Sequence, residues 1–239
     1  MVISDHTTKA FDVDLQELTR MVAEMGGLAE KQVADAVDAL ARRDTDRAQR
    51  TVAADPDIDA LQAEIEEKAV LTIARRQPMA VDLREIVGAL RVSNDLERIG
   101  DLAKNIGKRV MALDGEFHPP KLIRGVEHMA SMVLAQLKEV LDSYASHDIA
   151  KALEVWKSDE QIDAMCTSLF RELLTYMLED PRNITFCIHL MFCAKNIERM
   201  GDHATNIVET VYYMIEGHAL ADQRPKGDTT TFAMLDAEK

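Results

Sequence analysis

The sequence predicts an all-α protein made of two tandem homologous three-helix bundles, six long antiparallel helices in all. Three observations carry this reading. A twelve-residue phrase occurs twice, as DLERIGDLAKNI at 95–106 and NIERMGDHATNI at 196–207. Matching residues recur far outside it at a constant offset of 104: Asp38, Asp44, Ala48 and Asp55 are answered by Asp142, Asp148, Ala152 and Asp159. By the repeated phrase the offset has fallen to 101, so the second copy is three residues shorter somewhere between about 77 and 93. Finally, the 10 glycines and 6 prolines fall mostly between long segments of helical periodicity rather than inside them. A unit repeated at this scale is one supersecondary structure used twice.

The first helix is expected over 13–43, where Leu15, Leu18, Val22, Met25, Ala29 and Val33 recur three and four apart. Asp44 is placed to N-cap a second helix running to about Gln77. Pro56 lies inside that span and must kink or restart it, because proline lacks a backbone donor and clashes with the preceding turn. Asp55 is the expected cap of the restarted segment. The third helix begins near Met79, after Pro78, and ends near Leu113 and Gly115. His118-Pro119-Pro120 opens the second half, whose helices are expected over 121–146, 149–179 and 183–216. The third and sixth helices carry the same apolar stripe, Leu96, Ile99, Ala103, Ile106 and Val110 in one and Ile197, Met200, Ala204, Ile207 and Val211 in the other. Stripes of this spacing pack as bundles, and short connections make neighbouring helices antiparallel. The repeats span 10–115 and 119–217; the remaining 218–239 is expected to be a mobile tail, aperiodic from Ala221.

With 239 residues and 47% hydrophobic content the chain can bury a sizeable core. A net charge of −14 opposes a tight grip on nucleic acid or an anionic membrane. Cys166, Cys187 and Cys193 form no CxxC pair, so they read as core residues of a reducing compartment, without disulfide or zinc. No basic-then-apolar leader is visible at the start, and the most apolar run, 186–194, falls far short of the roughly 20 residues a membrane helix needs. A cytoplasmic, non-spanning protein is expected.

Each copy of the phrase stacks oxygen ligands along one helix face at four-residue intervals: Glu97, Asp101 and Asn105, then Glu198, Asp202 and Asn206. One helix earlier, each half adds a second pair with the same spacing, Asp55 with Asp59 and Asp159 with Asp163. Four like-charge pairs oppose the helices by roughly 1–2 kcal/mol in all, so compensation is expected. Surface ion pairs with Arg98, Arg199, Lys104 or Lys195 are one source. The other is a hard cation held between adjacent helices, for which an all-oxygen set suits Mg²⁺, Mn²⁺, Ca²⁺ or oxygen-ligated iron. Gly100 and Gly201 sit mid-helix, either for a close helix crossing or to leave room for a metal or partner. His203 points about 100° round its helix from the carboxylate row and is expected to face solvent or a partner. The Glu-x-x-His of di-metal oxidases, GxSxG, HExxH and a P-loop are all missing, which argues against an enzyme.

The paired ERxGD phrases, the segment QPMAVDLR at 77–84 and the two matching halves together resemble the PhoU family over about residues 10–217. In the second half the QP-x-x-x-DLR segment is degenerate, reading DPRNITFCI at 180–188, so roles for Asp82 and Arg84 have no counterpart there. The resemblance implies a cytoplasmic adaptor, not a catalyst. Its expected partners are the ATPase subunit of a phosphate ABC transporter and a phosphate-sensing histidine kinase, with a homodimer as the expected assembly. It also implies metal on the carboxylate pairs, here Asp55 with Asp59, Glu97 with Asp101, Asp159 with Asp163, and Glu198 with Asp202. The competing reading is a metal-storage protein or metal-dependent phosphohydrolase on the same helices.

Overall fold

The computed structural model describes residues 3–113 and 120–221. These residues form seven α-helices: α1 (Ile3–Arg42), α2 (Thr45–Ala53), α3 (Asp55–Arg76), α4 (Val81–Ala112), α5 (Pro120–Ser146), α6 (Ile149–Glu179) and α7 (Ile184–Glu216). A single 3₁₀ turn, Pro181–Asn183, leads into α7, and there is no strand among the described residues. The expected tail from 222 onward and the turn around Gly115 lie outside the described residues.

The duplication is visible in the turns. Arg43 and His147, 104 apart, both adopt left-handed backbone (φ 58° and 55°). The next residue's N–H returns to the helix before it, Asp44 to Ala39 O (3.0 Å) and Asp148 to Ser143 O (3.1 Å). Those aspartates then cap the following helix, accepting from Arg47 N at 2.8 Å and Lys151 N at 3.2 Å. One helix therefore stops and the next starts within two residues, which folds each pair back into an antiparallel hairpin.

The halves differ at Pro56. The outer rod of the first half breaks at Ala54 into α2 and α3, with Pro56 in the first turn of α3. In the second half Glu160 stands in the proline's place and α6 runs unbroken for 31 residues. The expectation that Asp55 caps α3 is overturned: Ala54 holds the cap position, and Asp55 is the first helical residue, buried and turned toward α4. Two other ends shift. α1 already runs from Ile3, since no glycine or proline interrupts the residues before 13. α4 starts at Val81 rather than Met79, because Gln77 (φ 52°) and Ala80 (φ 50°) turn the chain through left-handed backbone around Pro78.

The inner helices α1, α4, α5 and α7 bring the halves together, with α2–α3 and α6 outside. The most extensive helix contact is α4 with α7, which belong to different halves, and α1 with α5 adds to it. Both phrase stripes are buried in one continuous core, as are all three cysteines, none of them in a disulfide. Burial pushes the Cys193 thiol up to about 12, which keeps it neutral and inert. α4 and α7 run antiparallel and very close. A Cβ built on Gly88 would lie 2.1 Å from the Met214 sulfur, so any larger residue there would have to push the Met214 side chain aside. Among the described residues no helix is long and apolar enough to cross a membrane.

Candidate functional site

The carboxylate rows face the grooves between each outer rod and the inner helix beside it. In the first half this is α3 against α4. Asp55 is buried, Glu97 and Asp101 are partly exposed, and Asp59 is exposed. Lys104 closes the groove: its Nζ donates to Asp55 Oδ2 at 2.5 Å and also to Asp101 Oδ1. Arg98 lies 3.3 Å from Glu97 and 3.6 Å from Asp101. Burial works against the Lys104 charge, but the hydrogen bonds to Asp101 and Asp55 outweigh it and hold the ammonium well above its ordinary range. Burial raises the Glu97 carboxyl, Arg98 opposes that, and Asp101 adds to it.

In the second half the groove lies between α6 and α7. Asp159, Asp163 and Glu198 are all buried, and Asp202 is half-buried. The position of Lys104 is taken by Thr205, fully buried, whose hydroxyl donates back to Asp202 O at 2.8 Å. Lys195, on the exposed edge, donates to Glu198 Oε1 at 2.7 Å. The other oxygen, Glu198 Oε2, is buried without a hydrogen-bond partner. Burial is the main cause that raises the Glu198 carboxyl; Lys195 opposes it and Asp202 adds repulsion. Beside it opens a cavity of about 280 Å³ lined by Asp163, Cys166, Arg171, Lys195 and Glu198, among others. The structure thus brings the eight predicted residues into two grooves. Within them, among the described residues, no three His, Cys, Asp or Glu side chains converge closely enough to hold a metal ion.

Gly100 proves to be a close crossing, and Gly201 a looser one. A Cβ on Gly100 would meet Gln32 Oε1 at 2.9 Å and Ile58 Cδ1 at 3.0 Å; on Gly201 it would meet Asp159 Oδ1 and Ile162 Cδ1 at 3.4 Å and Gln136 Oε1 at 3.6 Å. Gln32 and Gln136 are a duplicated pair that motif reading missed. Each is buried, and its amide N–H donates to the outer rod, Gln32 to Thr51 O (3.2 Å) and Gln136 to Ser158 Oγ (2.8 Å). Their spacing of 104 is the signal that could have found them.

His203 does not face solvent. Its Nδ1 lies 2.8 Å from Asp95 Oδ1 on α4, and Asn206 Nδ2 donates to the same oxygen at 3.2 Å. Asp95 is buried, so these polar groups tie the two halves across the α4–α7 contact. Arg109 stacks on Phe192 (4.0 Å) and Arg91 on Tyr213 (4.8 Å) along the same seam.

This architecture has known counterparts. The family model for the PhoU domain matches twice, at residues 22–110 and 126–211. A phosphate-specific transport system accessory protein PhoU homolog of Rhizobium meliloti (strain 1021) is 58% identical over 226 residues, covering 95% of each chain. The homolog of that name in Caulobacter vibrioides (strain NA1000 / CB15N) is 51% identical, over 95% of this chain and 98% of that one. The crystal structure of PhoU from Pseudomonas aeruginosa superposes with a TM-score of 0.83 at 39% identity, covering 87% of this chain and all of the other. That of the phosphate transport system regulatory protein PhoU from Streptococcus pneumoniae gives 0.82 at 27% identity, over 89% of this chain. With the family model matching both halves and relatives alike along nearly the whole length, the chain belongs to the PhoU family.

Proposed function

We propose that this protein regulates phosphate transport as a cytoplasmic adaptor. It couples the ATPase subunit of a phosphate ABC transporter to a phosphate-sensing histidine kinase and restrains the phosphate-starvation response when phosphate is plentiful. The observation that carries the proposal is likeness over 95% of the chain to proteins named as accessory to phosphate-specific transport. Its surface suits protein contact: the strongly acidic chain complements basic patches, and Ile184, Ile188 and Phe192 form an exposed apolar row along α7. Nothing in the relatives' names supports the metal-storage or phosphohydrolase alternative. A deletion strain carrying a reporter for phosphate-scavenging genes tests the reading. The reporter should stay on in high phosphate; continued repression would show that the regulatory assignment is wrong. Binding of the purified kinase cytoplasmic domain or transporter ATPase should weaken as salt rises, because exposed charges are screened beyond about 8–10 Å. Sedimentation of the pure protein tests the homodimer.

The second part of the proposal is a hard cation, Mg²⁺, Mn²⁺, Fe or Ca²⁺, on the carboxylate rows. The donor set fits best in the second half. There Asp159, Asp163, Glu198 and Asp202 would hold the ion, and Glu198 Oε2 is a buried anionic oxygen lacking any hydrogen-bond donor. Such an ion would neutralise the groove and pin α6 to α7. Binding to the folded state alone stabilises by about 2.7 kcal/mol at a hundredfold excess over Kd. Mn²⁺ or Mg²⁺ should therefore raise Tm above a sodium control of equal ionic strength, whereas equal shifts in both salts would reduce the effect to screening.

A further inference from the structure

The two grooves occupy equivalent places in the repeats, yet their positive charge comes from different sources. In the first, Lys104 on α4 reaches across to α3 and bonds one carboxylate from each helix, Asp55 and Asp101. That is the bridging place a metal ion would take between two helices. Only 21% of its side chain is exposed, so the ammonium is built into the groove and does not sit at its mouth. Arg98 then covers Glu97 and the other side of Asp101, leaving Asp59, exposed, as the remaining carboxylate of the row. In the second groove the residue equivalent to Lys104 is Thr205, uncharged and bonded to its own helix. Lys195 enters from elsewhere, with 48% of its side chain exposed, and donates to Glu198 Oε1. The neighbouring oxygen of that carboxylate is buried and lacks a donor, next to a cavity of about 280 Å³.

We infer that Lys104 is a tethered cation standing where a metal would stand in the first repeat, so that the protein loads metal in its second repeat alone. The inference rests on the hard-cation reading proposed above and divides it between the halves. A divalent ion entering the first groove has to expel the Lys104 ammonium from two short hydrogen bonds or sit beside a like charge. In the second groove Lys195 and Arg171 line the cavity as well, but Lys195 reaches Glu198 from the exposed edge through Oε1, and the buried Oε2 has no hydrogen-bond donor for an ion to displace. The first repeat thus holds α3 to α4 permanently, whatever the metal supply, while the α6–α7 groove answers to it.

The experiment measures Mn²⁺ uptake by equilibrium dialysis of chelator-stripped full-length protein, with circular dichroism to confirm the fold. Asp101→Asn should leave uptake unchanged, and Glu198→Gln combined with Asp202→Asn should abolish it. Lys104→Thr, which copies the second repeat, should double uptake, and Asp101→Asn added to it should remove the gain. In Lys104→Thr, Mn²⁺ should also raise Tm further than in the wild type. Should Lys104→Thr fail to fold, the Asp101→Asn and Glu198→Gln/Asp202→Asn arms still decide. Uptake halved by Asp101→Asn would overturn the division between repeats while leaving the cation reading intact. Uptake seen only after Lys104 is replaced would overturn loading by the second repeat, and no uptake by any variant would sink both readings.

Discussion

The two repeats share their first turn residue for residue, but differ in the second turn, which is left-handed at Gln77 and Ala80 in one half and a 3₁₀ turn in the other, and in what fills the groove between outer rod and inner helix. Both stop one helix on a left-handed residue and cap the next with aspartate. Both place glycine where the inner helix meets a buried glutamine. Yet the first fills its groove with Lys104 and Arg98 and breaks its rod at Pro56, and the second has Thr205, Lys195 and an unbroken α6. Positions fixed by core volume and backbone conformation tolerate little change after duplication, because packing faults cost kilocalories. Groove charges can be rearranged so long as each buried carboxylate keeps a counter-charge from some direction.

Lys104 offers the sharpest way to break that symmetry. Removing one partner of a buried ion pair costs about 3–5 kcal/mol, and partial exposure lowers this here to roughly 2–3. Lys104→Met should therefore shift the urea midpoint strongly. Lys195→Met, at a half-exposed pair, should cost under about 1 kcal/mol. Equal losses would show that the two lysines play the same part.

The glycines give a smaller contrast of opposite sign. Alanine gains about 1 kcal/mol over glycine inside a helix. At Gly201 the nearest side-chain atoms stand at 3.4 Å, an ordinary contact, so Gly201→Ala should stabilise by up to about that amount. At Gly100 the methyl would press within 3.0 Å of Ile58 and closer to Gln32, and overpacking of about 1–3 kcal/mol should outweigh the gain. Chemical denaturation of both variants reads the difference; a stabilised Gly100→Ala would mean that Gln32 yields freely.

The smallest effect is in acidity. Because burial raises the Glu198 carboxyl, its contribution to folding is fully present below the ordinary value of 4.5 and is lost as pH rises through the higher folded value. In metal-free buffer Glu198→Gln should melt slightly above the wild type at pH 7 and level with it at pH 4. A variant that melts lower at pH 7 would show that the Lys195 bond dominates the carboxyl's environment.

Periodicity and repetition made the rods, their order and their pairing legible, since amphipathic stripes and caps are local signals. What stayed hidden was contact between elements. Spacing places Lys104 one turn from Asp101, but not the reach of its stem across to Asp55 on α3. His203 departs from the expectation because α7 has more than one buried face. α7 buries two, one toward its own bundle and one toward α4, and a residue off the first stripe landed on the second. The position of Asp55 before Pro56 suggests a cap, whereas its ion pair with Lys104 governs its side chain. Gln32 and Gln136 belong to no motif and were recoverable only from the offset.

The seam between α4 and α7 also bears on how such a molecule can be taken apart. Asp95 meets His203 and Asn206 across it, but the reverse pairing would set Asn196 against Leu102 and Asn105, with neither the carboxylate nor the imidazole, so this charged contact is made once and in one sense. Neither repeat can reproduce it by pairing with another copy of itself. In this the two repeats are arranged like the subunits of a heterodimer that share one backbone. A chain cut between α4 and α5 should leave two fragments, each with an uncovered apolar flank, that recognise one another in preference to their own kind.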